Sequence, residues 1–277
     1  MGSLRVVGVV IGVGGLLLAA CGVAPSGPAA GTFTPAVPGV LTVATNLPAP
    51  GFWEGPAAAP TGGFEYALAH ELAERFDLGE VRAVDFAFAD LVAGDLHGAD
   101  LALAELTPTS ARDEQLDFST AYLDAHPAVL VQDGLDVPDL AAARDLRWAV
   151  QTGSTHVDLV TERIRPDAEL ITGDDIAAVV DAVATGTVDA ALLDLPTAIV
   201  QEQLTDGRLR VVAQFATDDA IAAAVPEGSD NLEAIDSAIR AMLRDGTVDR
   251  LAEDWLGRAA SDGAVDIPLI RAQPVAP

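Results

Sequence analysis

The sequence predicts an α/β protein whose strands form parallel sheets covered by helices. Short β-rich runs alternate with amphipathic segments, and this alternation occurs twice along the chain. The clearest helix is predicted over residues 64–76. Its apolar residues recur at helical spacing: Phe64, Leu68, Leu72 and Phe76. Strands joined through such helices run parallel, because a crossover returns the chain to the same edge of the sheet.

The first α/β series begins at Val40. Its predicted strands span residues 40–46, 81–86 and 99–104. A short helix is predicted to begin at Phe88. Ligands of such sheets bind beyond the carboxyl ends of the strands. Asn46, Phe88 and Thr107 lie at or just past those ends, so we expect them to line a binding site.

The second half of the chain contains a second α/β series. Its predicted strands span residues 126–131, 146–150, 169–171, 188–193, 209–215 and 220–225. A tight turn at residues 153–155 leads into a helix, and residues 174–175 are placed to cap a helix over 176–184. Two closing helices contain Ile235 and Leu251.

The N-terminal residues have the pattern of a lipoprotein signal. Residues 6–20 are largely apolar, a length that is short for a membrane span and typical of a signal-peptide core. Residues 18–21 resemble a bacterial lipobox, so we expect a signal peptide over residues 1–20 and lipidation of Cys21, the only cysteine. The Gly-, Pro- and Ala-rich residues 21–39 predict a flexible tether.

The charge distribution excludes several classes of function. The formal net charge is −27, and all 15 basic residues are arginine. Nucleic acid and anionic lipid surfaces need a basic patch, so neither is an expected partner. Without lysine, the chain has no Schiff-base or phosphate-loop lysine. The four histidines lack the spacing of a zinc site, and we expect no metal and no cofactor.

The stretch after the predicted strand 99–104 combines hydroxyl side chains with one arginine. Thr107, Thr109 and Ser110 carry hydroxyl donors, and the planar fork of Arg112 suits a carboxylate. This pattern favours a small anion as ligand. The alternative is that the hydroxyls cap a helix and that the arginine is solvated.

Three other features lie beside predicted strand ends. The turn at residues 153–155 opens a helix, whose free amide groups favour an anion. Asp194 follows a strand and either faces the same edge or caps the helix that begins before Pro196. Phe52 and Trp53 lie in the loop after the first strand, where they either pack in the core or contact a ligand.

The order and spacing of these segments resemble the family of bacterial extracellular solute-binding proteins for polar amino acids, the receptors of ATP-binding-cassette (ABC) importers. The matching segments are residues 40–46, 63–65, 107–112, 117–119, 151–155, 188–194 and 249–257. The resemblance implies a two-lobed periplasmic-binding-protein-like fold (type II), with two strands crossing near residues 125–131 and 218–225. The implied boundaries are residues 40–127 plus 224–263 for lobe 1, 131–218 for lobe 2 and 264–277 for a C-terminal tail.

The resemblance also implies roles for individual residues. Arg112 would bind the α-carboxylate of an amino acid, helped by Thr107 and Thr155. Asp194 would bind the α-ammonium group, and Phe88 matches an aromatic position in the wall of the site.

Two positions depart from the family pattern. Where the family places an aromatic that stacks on the ligand, this chain has Ala49, and Phe52, Trp53 or Phe88 would have to line that wall instead. Where the family has a small residue, this chain has Glu105. Its carboxylate would either select a cationic ligand or point into solvent, and we expect solvent because an unpaired buried carboxylate is costly.

The function that follows is a substrate-binding lipoprotein of an ABC importer, which captures an amino acid or a related zwitterion between closing lobes. We expect a monomer outside the cytoplasm, anchored to the cell membrane through Cys21, with a permease as partner and no enzymatic activity. One alternative is a sensor or accessory lipoprotein that has lost transport, which is suggested by Ala49 in place of the stacking aromatic. The other is a dehydratase-type enzyme on the same fold.

Overall fold

The computed structural model describes residues 32–257 and 267–270. The strands in chain order are β1 (Val40–Thr45), β2 (Glu80–Asp85), β3 (Leu101–Ala102), β4 (Leu116–Phe118), β5 (Leu123–Asp124), β6 (Pro127–Gln132), β7 (Trp148–Gln151), β8 (Ile171–Gly173), β9 (Ala190–Asp194), β10 (Leu209–Phe215), β11 (Ala220–Ile221), β12 (Ala224–Pro226) and β13 (Leu269–Ile270). The helices are α1 (Phe64–Arg75), α2 (Phe88–Val92), α3 (Leu140–Arg144), α4 (His156–Asp158), α5 (Ile176–Ala184), α6 (Leu195–Leu204), α7 (Leu232–Asp245) and α8 (Thr247–Leu256). A 3₁₀ turn spans Arg112–Glu114, and α4 continues as π-helix over Leu159–Ile164.

The first sheet has the strand order β2-β1-β3-β12-β4. Strands β2 and β3 both pair in parallel with β1, as the strand, helix, strand order predicted. Helix α1 covers this sheet with Phe64, Leu68 and Leu72, none of which has exposed surface. These three residues recur every four positions, so one face of the helix is buried against the strands.

The second sheet has the strand order β13-β10-β6-β9-β7-β8. Strands β7 and β9 are parallel, whereas β6 runs antiparallel to both β9 and β10. The sheet is buried among helices through residues such as Trp148 and Leu192. Asp175 begins helix α5 as predicted, because its side chain accepts a hydrogen bond of 2.7 Å from the amide of Ala178.

Between the two larger sheets lies a two-stranded antiparallel sheet of β5 and β11, in which Leu123 pairs with Ile221. The chain passes from the first sheet to the second through β5 and returns through β11. The single strand predicted over residues 220–225 was therefore wrong. Ala220–Ile221 belongs to the crossing, whereas Ala224–Pro226 pairs within the first sheet.

Two other sequence-based expectations need correction. Only Leu101–Ala102 of the predicted strand 99–104 forms a strand, although the amides of Asp100 and Leu103 also donate hydrogen bonds to carbonyls of β1. The predicted C-terminal tail, residues 264–277, contains a strand: Leu269–Ile270 pairs in parallel with the end of β10. The signal peptide, Cys21 and most of the tether lie outside the described residues.

Candidate functional site

A cleft lies between the two larger sheets, at the ends of strands β1, β3, β7 and β9. It encloses about 520 Å³ of space that protein atoms do not fill, counting its mouth. Seven of the sequence-predicted site residues line it: Asn46, Phe88, Glu105, Thr107, Arg112, Thr155 and Asp194. Residues that the sequence reasoning did not assign to the site also line it: Pro48, Ala49, Ala104, Gln151, Ser154, His156, Ile176 and Thr197.

Arg112 is the buried cation of the cleft, with 7% of its surface exposed. Its Nη1 donates to the carbonyl of Thr107 at 2.6 Å, and its Nη2 donates to the carbonyl of Gly153 at 3.0 Å. The guanidinium lies 5.7 Å from the centre of the Phe88 ring. Among the described residues no further hydrogen bond is made by the guanidinium, so three of its five N–H donors remain available.

The charge of Arg112 is maintained despite its burial. Desolvation lowers the pKa of Arg112, and the nearby carboxylates of Asp194 and Asp219 oppose that effect. An arginine side chain stays protonated in such surroundings. A buried guanidinium with spare donors is suited to bind a carboxylate in a bidentate manner.

Asp194 ends strand β9 on the other side of the cleft. It occupies the N-cap position of helix α6, but its side chain makes no capping hydrogen bond to that helix. Oδ1 lies 3.3 Å from Nε2 of His156. These two atoms are close without being aligned for a hydrogen bond, and the buried Nε2 has no hydrogen-bond partner within the described part of the chain. The Asp194 carboxylate therefore remains available to a cationic group in the cleft.

Glu105 also faces the cleft. The expectation that it points into solvent was wrong, because its Oε2 accepts a hydrogen bond from the hydroxyl of Thr197 in helix α6. Burial is the main reason that the pKa of Glu105 lies well above its usual range, and the Glu65 carboxylate adds to this effect. Burying a charged carboxylate costs free energy, which was the reason to expect solvent exposure. The hydrogen bond from the Thr197 hydroxyl offsets part of this cost, and the raised pKa favours the uncharged form of Glu105.

Behind the cleft lies a fully buried carboxylate, Glu65, which the sequence reasoning did not identify. Its oxygens accept hydrogen bonds from the hydroxyl of Tyr122 at 2.6 Å, the amide of Glu105 at 2.9 Å and Nε1 of Trp53 at 3.1 Å. Burial raises the pKa of Glu65 to about 7, and the hydrogen bonds from Tyr122, Glu105 and Trp53 oppose this shift. Glu65 thus fixes the backbone of Glu105 from behind.

Phe52 and Trp53 do not line the cleft. The expectation that they contact a ligand was wrong, since they lie in the core with 0% and 3% of their surface exposed. The carbonyl of Phe52 accepts hydrogen bonds from the amides of Glu65 and Tyr66 at the start of helix α1. The loop therefore supplies an acceptor for the free amides at the start of the helix.

In the part of the chain that the structure describes, three hydrogen bonds join the two sides of the cleft. Besides the Arg112 bond to Gly153 and the Glu105 bond to Thr197, the Gln151 amide donates to Oδ1 of Asn46 at 2.8 Å. Gln151 lies in residues 151–155, which match the family pattern. This match is the sequence signal that could have assigned Gln151 to the site. The structure therefore shows the two sides in direct contact.

Within residues 32–257 and 267–270, no group of three or more histidine, cysteine or acidic residues is arranged to hold a metal ion. In the same part of the chain, no helix has both the length and the apolar character needed to cross a membrane.

Two α/β units connected by two crossing strands, with a charged cleft between them, define a two-lobed binding-protein fold. Residues 41–258 match the bacterial extracellular solute-binding proteins, family 3, and the chain belongs to this family. It is 29% identical over 202 residues to the amino-acid-binding protein AabA of Dichelobacter nodosus, a match that covers 71% of this chain and 79% of the relative.

Two other relatives differ in what they bind or do. The chain is 32% identical to the membrane-bound lytic murein transglycosylase F of Ectopseudomonas mendocina over 87% of this chain, which spans only 50% of that enzyme. Among solved structures, an ancestral arginine-binding protein bound to glutamine superposes with a TM-score of 0.72 and 26% identity, covering 80% of this chain and 100% of that structure.

Proposed function

We propose that this protein captures a free amino acid, or a related zwitterion, between its two lobes and does not change it chemically. The observation that carries the proposal is the placement of Arg112 and Asp194 in one cleft. Arg112 has three spare N–H donors for an α-carboxylate, and the Asp194 carboxylate is available for an α-ammonium group. Two opposite charges held in one buried site match the two charges of a zwitterion.

The cleft residues support binding without bond chemistry. His156 is the histidine of the cleft, and its Nε2 faces Asp194 rather than an arrangement of nucleophile and base. Thr155 and Thr107 add polar groups to the cleft, and Phe88 adds an aromatic ring whose centre lies 5.7 Å from the guanidinium of Arg112. In the proposed function these groups recognise and orient a ligand, and no dehydratase-type reaction is assigned to them.

The cellular role that fits this site is delivery of the amino acid to an ABC permease. In this proposal the mature chain is a monomeric lipoprotein outside the cytoplasm, held at the cell membrane through Cys21. Its support is the family to which residues 41–258 belong, together with the lipobox-like residues 18–21. A sensor or accessory lipoprotein would use the same site, and it differs by lacking a permease.

A thermal-shift screen of the mature chain against the common amino acids, small polyamines and dicarboxylates tests the proposal. A ligand that binds the folded state raises Tm by mass action. We expect hits among the zwitterions only, and we expect Arg112→Ala and Asp194→Asn to abolish them. Hits among polyamines or dicarboxylates alone would contradict the proposal, as would zwitterion hits that both variants retain. Genes for a permease and an ATPase beside this gene would separate import from sensing.

A further inference from the structure

We propose that Glu105 is the specificity-determining residue of the cleft and that it selects an amino acid whose side chain ends in a positive charge. This inference rests on the proposed function and names the class of amino acid. It follows from the backbone conformation of Glu105, from the position of its carboxylate and from the charges around it.

The backbone of Glu105 adopts a conformation that favours glycine, with a φ of +54°. A side chain at such a position is strained, and strained residues are concentrated at functional sites. The Glu65 carboxylate accepts the Glu105 amide at 2.9 Å and so fixes this conformation. The result is a carboxylate directed into the cleft from the end of β3.

One oxygen of this carboxylate is held and the other is available. Oε2 accepts from the Thr197 hydroxyl, which orients the group across the cleft. In the described part of the chain, no residue donates a hydrogen bond to Oε1, and this atom is not among the fully enclosed polar atoms. Oε1 can therefore accept a hydrogen bond from a ligand.

The charges that line the cleft are unbalanced for a neutral amino acid. Of the described residues that line the cleft, Glu105 and Asp194 are acidic and Arg112 is the arginine, while the ring of His156 lies beside Asp194 with Nε2 3.3 Å from Oδ1. A zwitterion compensates Arg112 with its carboxylate and Asp194 with its ammonium group, which leaves Glu105 without a counter-ion and its carboxyl group in the protonated form that burial favours. A guanidinium or ammonium group on the ligand side chain supplies that counter-ion, and a buried charge is tolerated when it is paired.

The competing role for Glu105 is a purely structural bond that holds the lobes together through Thr197. Such a role would change the affinity for all ligands by the same factor. Charge recognition would change only the ratio between a cationic ligand and its neutral isostere. L-arginine and L-citrulline are such a pair, because citrulline replaces one nitrogen of the guanidinium with oxygen and carries no side-chain charge.

Isothermal titration at pH 8 with both amino acids, on the mature wild-type chain and on Glu105→Gln, tests the proposal. We expect the wild type to bind L-arginine about 100-fold more tightly than L-citrulline, as for the loss of one partner of a desolvated ion pair. In Glu105→Gln the ratio should fall to roughly one. Thr197→Val removes the hydroxyl and keeps the carboxylate, so it should retain the preference for L-arginine.

Other outcomes would contradict either the role of Glu105 in selectivity or the proposed function itself. An unchanged ratio in Glu105→Gln, or an equal loss for both ligands, would assign Glu105 a structural role. Wild-type binding of neutral or acidic amino acids only, lost in Arg112→Ala, would keep the proposed function and overturn the selectivity. Binding of no amino acid by the wild type would overturn both. A thermal melt of Glu105→Gln verifies that the variant is folded.

Discussion

Gln151 donates a hydrogen bond of 2.8 Å to Asn46, and this bond connects the end of strand β7 in the second sheet with the end of strand β1 in the first. The two sheets belong to different lobes, so the bond exists only when the cleft is closed. It therefore contributes to the closed state and not to the stability of either lobe.

Gln151→Ala should shift the protein toward an open arrangement. A hydrogen bond of this kind contributes about 0.5–1.5 kcal/mol, so its loss decreases the ratio of closed to open molecules by a factor of about 2 to 13. Small-angle X-ray scattering would detect a larger radius of gyration. Gln132→Ala is the matched control, because Gln132 donates to the carbonyl of Val183 within one lobe. An equal expansion in both variants would contradict the prediction.

Arg112→Ala should weaken binding of the amino-acid ligand by about 2–5 kcal/mol, as for removal of one member of a desolvated charge pair. The loss has a second source, since the carbonyls of Thr107 and Gly153 lose their donor. Titration calorimetry measures the affinity. Arg147→Ala is the control, because Arg147 pairs with Asp189 at an exposed site and does not line the cleft. An unchanged affinity in Arg112→Ala would remove the basis of the proposed function.

Glu65→Gln should flatten the pH dependence of stability. The pKa of Glu65 is raised from 4.5 to about 7 in the folded protein, so the folded state holds a proton that the unfolded state has lost between those pH values. The contribution of this group to the free energy of unfolding is complete below pH 4.5 and is lost as the pH rises through about 7. The shift in pKa corresponds to a contribution of about 3 kcal/mol to the free energy of unfolding.

Chemical denaturation at pH 4.5 and pH 8 measures this effect for the wild type and for Glu65→Gln. The informative quantity is the change in the free energy of unfolding between the two pH values, because the amide also alters the hydrogen bonds to Trp53 and Tyr122. Glu71→Gln is the control on the same helix, where Glu71 contacts Arg250 at the surface. Parallel pH profiles for the wild type and Glu65→Gln would contradict the prediction.

Gly63→Ala should destabilise the first lobe. Gly63 has a φ of +109°, and an added Cβ would lie 2.2 Å from the carbonyl oxygen of Phe52. That carbonyl serves the start of helix α1, so it cannot move without loss of those hydrogen bonds. We expect Gly63→Ala to lower the free energy of unfolding by roughly 1–3 kcal/mol more than Gly98→Ala does. Gly98 also has a positive φ, of +79°, but has no atom within 4 Å of the added Cβ. Equal denaturation midpoints for Gly63→Ala and Gly98→Ala would contradict this prediction.

Cys21→Ser should release the protein from the membrane. If Cys21 is the lipidated residue of the proposed lipoprotein, its removal leaves no thiol in the chain for a lipid to modify. Metabolic labelling with a radioactive fatty acid should mark the wild type and not the variant, and the variant should move to the soluble fraction. Continued membrane association of an unlabelled variant would show that another element anchors the protein.

The elements with a regular apolar pattern could be predicted from the sequence. Helix α5 spans Ile176–Ala184 after its cap at Asp175, and strand β10 spans Leu209–Phe215. Both elements have the predicted bounds. The crossing was harder, because residues 220–225 form one apolar run that pairs with two different sheets. Likewise, nothing local to Leu269–Ile270 indicates that it pairs with a strand more than fifty residues earlier.

The sequence by itself determined the order of the elements and the placement of Arg112, Thr107 and Asp194 near strand ends, because periodicity and strand position are local properties of the chain. Only the tertiary structure decided which side chains face the cleft. Glu105 and Trp53 show why, since the direction of a loop side chain depends on partners distant in sequence. Thr197 draws the carboxylate of Glu105 across the cleft, and Glu65 draws the indole of Trp53 into the core.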